Sequence, residues 1–304
     1  MTRAFRIAVL FAIIALVVGS CGTGGSGGTK PTVRIGSTNF SEQLILGEIY
    51  AQLLEANGYT VERKFNLGAR EIVFPALTSG QIDMEVDYLA TLLSSVNKNA
   101  QGSTDPKETA AALQKELDAK NVTVLDYAPA VDQNGFAVTK ATADKDKLAK
   151  ISDLGPFAKD MILGGPPECP SPTRPFCLTG LKNVYGLTFK DFKPLDAGGP
   201  LTVAALEGGQ IDVGLLFTSN AIIAVKGFVL LDDDKHLQLS DNVAPVVRND
   251  LLTKAGADFK TLINSVAPKL TTAELTGMNK QVGVDRKDPK DVAKDWLKKQ
   301  GLIR

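Results

Sequence analysis

Two stretches, ALTSGQIDMEVDY at residues 76–88 and ALEGGQIDVGLLF at residues 205–217, spell one phrase far apart in the same chain. Each reads A-L-x-x-G-Q-I-D. Each places a ring eight residues after its glycine, Tyr88 after Gly80 and Phe217 after Gly209. A helical run that stops at glycine and passes into β-prone residues marks a helix-to-strand turn. The flanks extend the match. TVRIGS (32–37) alternates like a strand. NFSEQLILGEIYAQLLEANG follows as a helix, with Asn39 or Ser41 available as its cap, Glu42 in its first turn and Gly58 at its end. YTVERKF (59–65) is a second strand, residues 71–79 a short helix, and IDMEVDY a third strand. Before the second copy, MILGG, LTGLKNVYG, LTFKDFKPL and LTVAALEGG run strand, helix, strand, helix into the strand IDVGLLF. An offset of 129 positions lays Gly80 on Gly209, and a one-residue gap lays Gly58 on Gly186. The repeat is therefore a whole β-α-β-α-β unit of about sixty residues, which predicts an α/β fold with mostly parallel sheets.

Two such lobes enclose a cleft, and ligands of open α/β sheets sit beyond the carboxyl ends of the strands. Tyr88 and Phe217 end equivalent strands. They either face each other across the cleft or cap the core of their own lobe. The tail reads as helical. Thr271-Thr272-Ala273-Glu274 fits a capping box, Asp288-Pro289 opens a last helix, Trp296 packs on its face and Gly301 ends it. The chain has 304 residues, 44% of them apolar, enough for two lobes; its net charge of zero leaves no nucleic-acid footprint.

Arg3 and Arg6 precede an apolar run over residues 8–18, short for a bilayer span. Val18-Gly19-Ser20-Cys21 resembles the lipobox of bacterial lipoprotein precursors; an ordinary signal peptide or an uncleaved anchor are the alternatives. The resemblance implies a signal peptide over 1–20 and lipid on Cys21. It also implies a tether over 21–31, whose GTGGSGGTK is flexible, and a protein anchored on the extracytoplasmic face of the cell membrane. Export permits disulfides. Cys169 and Cys177 flank the Pro-rich loop PSPTRPF and are expected to be bridged, with two free thiols as the alternative.

Catalytic signatures are missing from the sequence. There is no G-x-x-x-x-G-K-[ST], H-E-x-x-H, G-x-S-x-G or paired C-x-x-C. The acids of DDDK (232–235) read as a solvated loop, and the single histidine, His236, has no marked nucleophile. No metal and no cofactor are expected. A cleft enzyme using carboxylates alone stays open as an alternative to a binding protein.

GSTNFSEQLILGEIYAQLLEANGY, GQIDMEVDYLATLL and LLDDDKHLQLSDNVAPVVRNDLL resemble the solute-binding lipoproteins of osmoprotectant ABC importers, which take up glycine betaine, carnitine, choline and related amines. The resemblance runs from about Val33 to Leu302. It implies a two-lobe periplasmic-binding-protein-like fold (type II), each lobe a mixed, mostly parallel sheet flanked by helices, closing on a ligand without catalysis. Lobe I is expected at 32–128 plus 226–304 and lobe II at 129–225.

The resemblance also implies a quaternary ammonium boxed by aromatic rings. The E-Y-T-G-T motif is matched by Asp87-Tyr88-Leu89-Ala90-Thr91, which keeps Tyr88 and Thr91. Phe136 and Phe217 stand where N-T-Y-A-L and A-Y-S-T-D carry tyrosine, and Asp241 stands where a fourth ring precedes A-P-V-V-R. The lysine of S-K-N-F, a carboxylate ligand, is replaced by Thr38, beside Asn39; the arginine after the E-F motif corresponds to Arg174. A ring face attracts a cation by about 0.5–1 kcal/mol when exposed and about 2 when desolvated, so Phe for Tyr costs little. An ionised Asp241 attracts ammonium and repels carboxylate, unless it points to solvent while a neighbour completes the box. Together these residues favour a choline-like cation over glycine betaine, with a larger neutral polyhydroxylated or aromatic compound as the alternative. The expected partners are this small ligand and the membrane permease subunits, for a protein acting as a monomer.

Overall fold

Each copy of the repeated phrase fastens a sheet. In the computed structural model, which describes residues 30–100 and 102–304, the first copy joins α2 to β3 in the series β1 (Val33–Gly36), α1 (Ser41–Ala56), β2 (Val61–Lys64), α2 (Arg70–Thr78) and β3 (Met84–Tyr88). Residues 1–29, which hold the expected signal peptide, Cys21 and most of the expected linker, lie outside the described residues. The chain continues through α3 (Leu89–Val96), α4 (Pro106–Asp118) and β4 (Val122–Val124), then crosses to β5 (Asn134–Val138) and α5 (Lys140–Asp146). The second copy closes the series β6 (Ile162–Gly165), α6 (Leu178–Tyr185), β7 (Asp191–Pro194), α7 (Pro200–Glu207) and β8 (Val213–Phe217). After α8 (Ile222–Lys226) and β9 (Val229–Leu230) the chain returns to β10 (Val243–Arg248). It finishes with α9 (Asn249–Ala255), α10 (Ala257–Asn264), α11 (Thr272–Gly283) and α12 (Pro289–Lys299).

The two five-stranded sheets have equivalent orders, β2-β1-β3-β10-β4 and β7-β6-β8-β5-β9. In each, the repeated unit supplies three parallel strands, and the next strand, β10 or β5, enters antiparallel from the other lobe. The crossing segments pair with each other: Val131 bridges Asn242, and the Asp132 amide donates to the Asp241 carbonyl at 3.1 Å. The return crossing lies later than the 225/226 boundary expected from sequence, because β9 hydrogen-bonds β5 within the second sheet.

The duplicated phrase has a duplicated geometry. Gly80 and Gly209 take φ of 81° and 65°, the left-handed region that glycine enters without a Cβ penalty. Beyond them, Asp83 accepts the Arg34 amide at 2.9 Å and donates its own amide to the Arg34 carbonyl. Asp212 does the same to Ile162, accepting at 2.8 Å. One carboxylate per lobe thus pins the first strand of the unit. The isoleucine before it needs a glycine opposite: a Cβ on Gly36 would lie 2.3 Å from Ile82, and one on Gly164 would lie 2.6 Å from Ile211.

The first lobe's core gathers α1, β1, β3 and the C-terminal helices, with Phe259 and Trp296 buried. The helix caps differ from expectation in two places. Phe40 occupies the N-cap of α1 without a side-chain bond, so neither Asn39 nor Ser41 caps it. Thr271 accepts the Glu274 amide, but the Glu274 carboxylate turns to Trp296 Nε1 at 3.0 Å and to Lys299, leaving half a capping box. Asp288 caps α12 through the Lys290 amide, with Pro289 at the first helical position. DDDK is a structural turn: Asp233 accepts the Tyr185 hydroxyl and the amides of Leu237 and Gln238.

Asp212→Ala removes the partner of a strand amide and is expected to destabilise the protein by about 1–3 kcal/mol. Urea unfolding followed by circular dichroism checks this; an unchanged midpoint would remove the clamp from the account.

Candidate ligand-binding cleft

The carboxyl ends of β3 and β8, the N-terminus of α1, the two crossings and the loop after β6 meet around a cavity of about 80 Å³. At about 10–15 Å³ per water it has room for roughly five to eight waters, the scale of a small amine. The question of where Tyr88 and Phe217 point is settled by a third ring. Phe40 stands between them, its centroid 6.4 Å from Tyr88 with planes 24° apart, and 4.9 Å from Phe217 with planes 37° apart. All three rings line the cavity. Phe40 and Tyr88 belong to the first lobe and Phe217 to the second, so the aromatic wall spans both.

Of the residues singled out from the sequence, Thr38, Asn39, Tyr88, Thr91, Arg174, Phe217 and Asp241 line this cavity. Phe136 does not. It is fully buried in the second lobe's core with Leu163, Leu181 and Val213, two residues further along β5 than Asn134. Asn134 lines the cavity instead, together with Phe176.

Arg174, which the resemblance assigns to a ligand carboxylate, also pairs with carboxylates of the chain itself. Its Nε and Nη2 donate to both oxygens of Glu71 at 3.0 and 2.8 Å, with Glu168 at 3.8 Å. Arg174 sits in the loop closed by the Cys169–Cys177 disulfide, and Glu71 lies on α2 of the first lobe. The pair therefore crosses the cleft mouth.

The buried cation of the cleft is Arg70, which sequence inspection passed over. Its Nε and Nη2 form a fork to Asp87 at 2.7 and 2.6 Å, a bidentate pair that favours both charges. Burial pulls the guanidinium toward neutrality, but Asp87 outweighs it and holds the pKa above its ordinary value. Arg70 Nη1 and Thr38 Oγ1 are buried without a partner among the described residues. Both side chains line the cavity, so two donors stand ready for a ligand oxygen.

Asp241 faces the cleft and is 2% exposed. Its oxygens accept the Thr91 amide at 2.7 Å and the Thr91 hydroxyl. Thr91 lies in the first turn of α3, so the carboxylate also meets the positive end of that helix. Burial pushes the Asp241 pKa up, the two Thr91 bonds pull it back, and it rests at about 6. Asp132, on the other crossing, is raised well above the carboxylate range by burial and by the charge of Glu42.

The substrate-binding domain family of ABC-type glycine betaine transport systems matches residues 31–299. The chain belongs to this family. It is a non-enzymatic substrate-binding protein of an osmoprotectant ABC importer. The binding protein is 27% identical over 300 residues to the carnitine transport binding protein OpuCC of Listeria monocytogenes, covering 97% of this chain and 96% of that one. It is 30% identical to the glycine-betaine-binding protein of Pseudomonas aeruginosa, covering 90% and 89% of the two chains. A solved glycine betaine/carnitine/choline ABC transporter structure superposes with a TM-score of 0.70 at 30% identity, over 90% of this chain and 100% of that one.

Removing one member of a buried ion pair leaves the other charge unmatched. Asp87→Ala in this binding protein is expected to lose about 3–5 kcal/mol of stability by urea unfolding. A loss below about 1 kcal/mol would mean that water reaches Arg70 and the pair is not closed.

Proposed function

We propose that this chain is the lipid-anchored extracytoplasmic receptor of the importer, tethered through Cys21. Its ligand is a quaternary-ammonium solute, with a choline-like cation preferred over glycine betaine. The relatives named for carnitine and glycine betaine, and the wall of Phe40, Tyr88 and Phe217, support an ammonium ligand.

The observation that carries the preference is the contact between Asp241 and Thr91. By resemblance, Thr91 is a donor to the betaine carboxylate. Here both its amide and its hydroxyl are occupied by a carboxylate of the chain itself. Asp241 fills the anionic half of the site, leaving the cationic half for the ligand. Charge bookkeeping agrees. Arg70 is matched by Asp87, and Arg174 by Glu71 with Glu168 near it; of the two carboxylates left at the cavity, burial drives Asp132 toward its neutral form, so Asp241 carries the charge. A cation with a hydroxyl satisfies that charge and can accept from Thr38 Oγ1. A second carboxylate meets repulsion.

Calorimetric titration of residues 30–304 with choline and glycine betaine tests the proposal. Choline is expected to bind at least about tenfold more tightly, a difference of about 1.4 kcal/mol. Tyr88→Ala is expected to abolish most of that binding, while Asp241→Ala weakens choline and strengthens betaine by releasing the Thr91 donors. Betaine binding the wild type more tightly than choline, or binding of neither beside a bulky neutral compound, would overturn the preference.

The pH dependence has a defined sign. Asp241 is ionised above about pH 6, so choline affinity is expected to fall as pH drops through that value and to be flat in Asp241→Ala. For folding the sign is opposite. A buried acid with a raised pKa binds its proton more readily folded than unfolded, so its cost is relieved as pH falls from about 6 toward its unfolded value.

A further inference from the structure

Behind the aromatic wall, one carboxylate joins the two lobes. Glu42, in the first turn of α1, is 2% exposed. Its Oε1 accepts the Tyr88 hydroxyl at 2.5 Å. Its Oε2 accepts Ser219 Oγ at 2.6 Å and Asn279 Nδ2 at 2.5 Å. Tyr88 and Asn279 belong to the first lobe, on β3 and α11; Ser219 belongs to the second, two residues beyond Phe217. Asn279 Nδ2 also reaches Ser219 Oγ at 3.0 Å, so the serine is received by two side chains of the opposite lobe. From its own side, Ser219 is held by the hinge: its amide donates to Asp132 Oδ1 at 2.9 Å.

We propose that Glu42, Ser219 and Asn279 form a latch that couples lobe closure to assembly of the ligand cage. None of the three lines the 80 Å³ cavity. They act through the rings in front of them and are positioning residues. One Glu42 oxygen orients Tyr88, and the other captures the turn that carries Phe217. When the latch is engaged, both rings stand in place around Phe40. When Ser219 leaves Glu42, Phe217 departs with its lobe and the wall is broken.

The environment suits a contact that forms and breaks as a unit. Hydrogen bonds to a carboxylate are stronger than neutral ones, and burial strengthens them further. The two groups that Glu42 receives, Ser219 just past β8 and Asn279 on α11, have short side chains, so they lose little rotamer freedom on engagement. The Asn279 carbonyl oxygen is buried and unpartnered among the described residues, which keeps the engaged state from being over-stabilised. Arg174 with Glu71 is a second bridge between the lobes, at the mouth of the cleft, with the Glu71 side chain 40% exposed.

The test uses residues 30–304 with spin labels at two exposed positions, one per lobe, and pulsed-dipolar distance measurement. Without ligand, Ser219→Ala and, separately, Asn279→Ala are expected to shift the interlobe distance distribution toward longer values. Ser219→Thr, which keeps the hydroxyl, is expected to restore it. With choline as the probe, Ser219→Ala should raise the dissociation rate about tenfold while changing the association rate little, since the entry mouth is intact. Distances and dissociation rates in Ser219→Ala equal to those of the wild type would overturn the latch. So would a Ser219→Thr protein that stays as open as Ser219→Ala. The distance readout needs no ligand, so a failure of choline to bind would count against the ligand proposal and leave this one to be decided by the distances alone.

Discussion

The two crossing segments pair with each other, and the cleft depends on that pairing. Val131 opposite Asn242 and the amide of Asp132 on the carbonyl of Asp241 tie the chain's outward path to its return. Because β5 and β10 are the strands that follow these crossings, each sheet is anchored to the other through a few residues of backbone. The same ladder brings two carboxylates to the floor of the cleft. Asp132 turns toward the second lobe's Ser219 and Asp241 toward the first lobe's Thr91. The hinge is thus also the most acidic part of the site.

The charges around the cavity are arranged in closed pairs with one remainder. Arg70 and Asp87 form a buried fork, and Arg174 and Glu71 form a second fork near solvent. These pairs hold shape more than they attract ligand, since a satisfied ion pair presents little net field. Also lining the cavity are the ring faces of Phe40, Tyr88 and Phe217, the carboxyl groups of Asp241 and Asp132, and two donors without partners among the described residues. Such a site discriminates by what it has already filled. On the ligand proposal above, a cation would meet both a quadrupole and a charge, whereas an anionic group would meet Thr91 donors already taken.

The fold was legible because its signals are local. The glycine-ended helix and the G-Q-I-D turn recur, and the structure shows the reason in Asp83 and Asp212 clamping equivalent strands. Tyr88, Phe217, Thr91 and Asp241 were legible through family motifs. Phe136 was misplaced because a motif match carries no depth along a strand, and two residues separate the cleft end of β5 from the core. Arg70, Asp132 and Glu42 left no signal at all. Their partners stand 17, 87 and 46 positions away, and a lone charge reads as a solvated group until the fold brings its counterpart. The pairing of Arg174 with Glu71 left no signal, because Glu71 lies in the other lobe, 103 positions away.

The place of β10 has a consequence for the order in which the molecule can be made. It lies inside the first sheet, between β3 and β4, yet it follows the whole second lobe in sequence. The second sheet is complete once β9 has been produced. The first sheet must wait until residue 248 arrives, with the inner edge of β3 open in the meantime. Such an edge pairs readily with other chains. A chain stopped between the two lobes would therefore be half finished and adhesive, and its release would fall to whatever guards unfinished chains during synthesis.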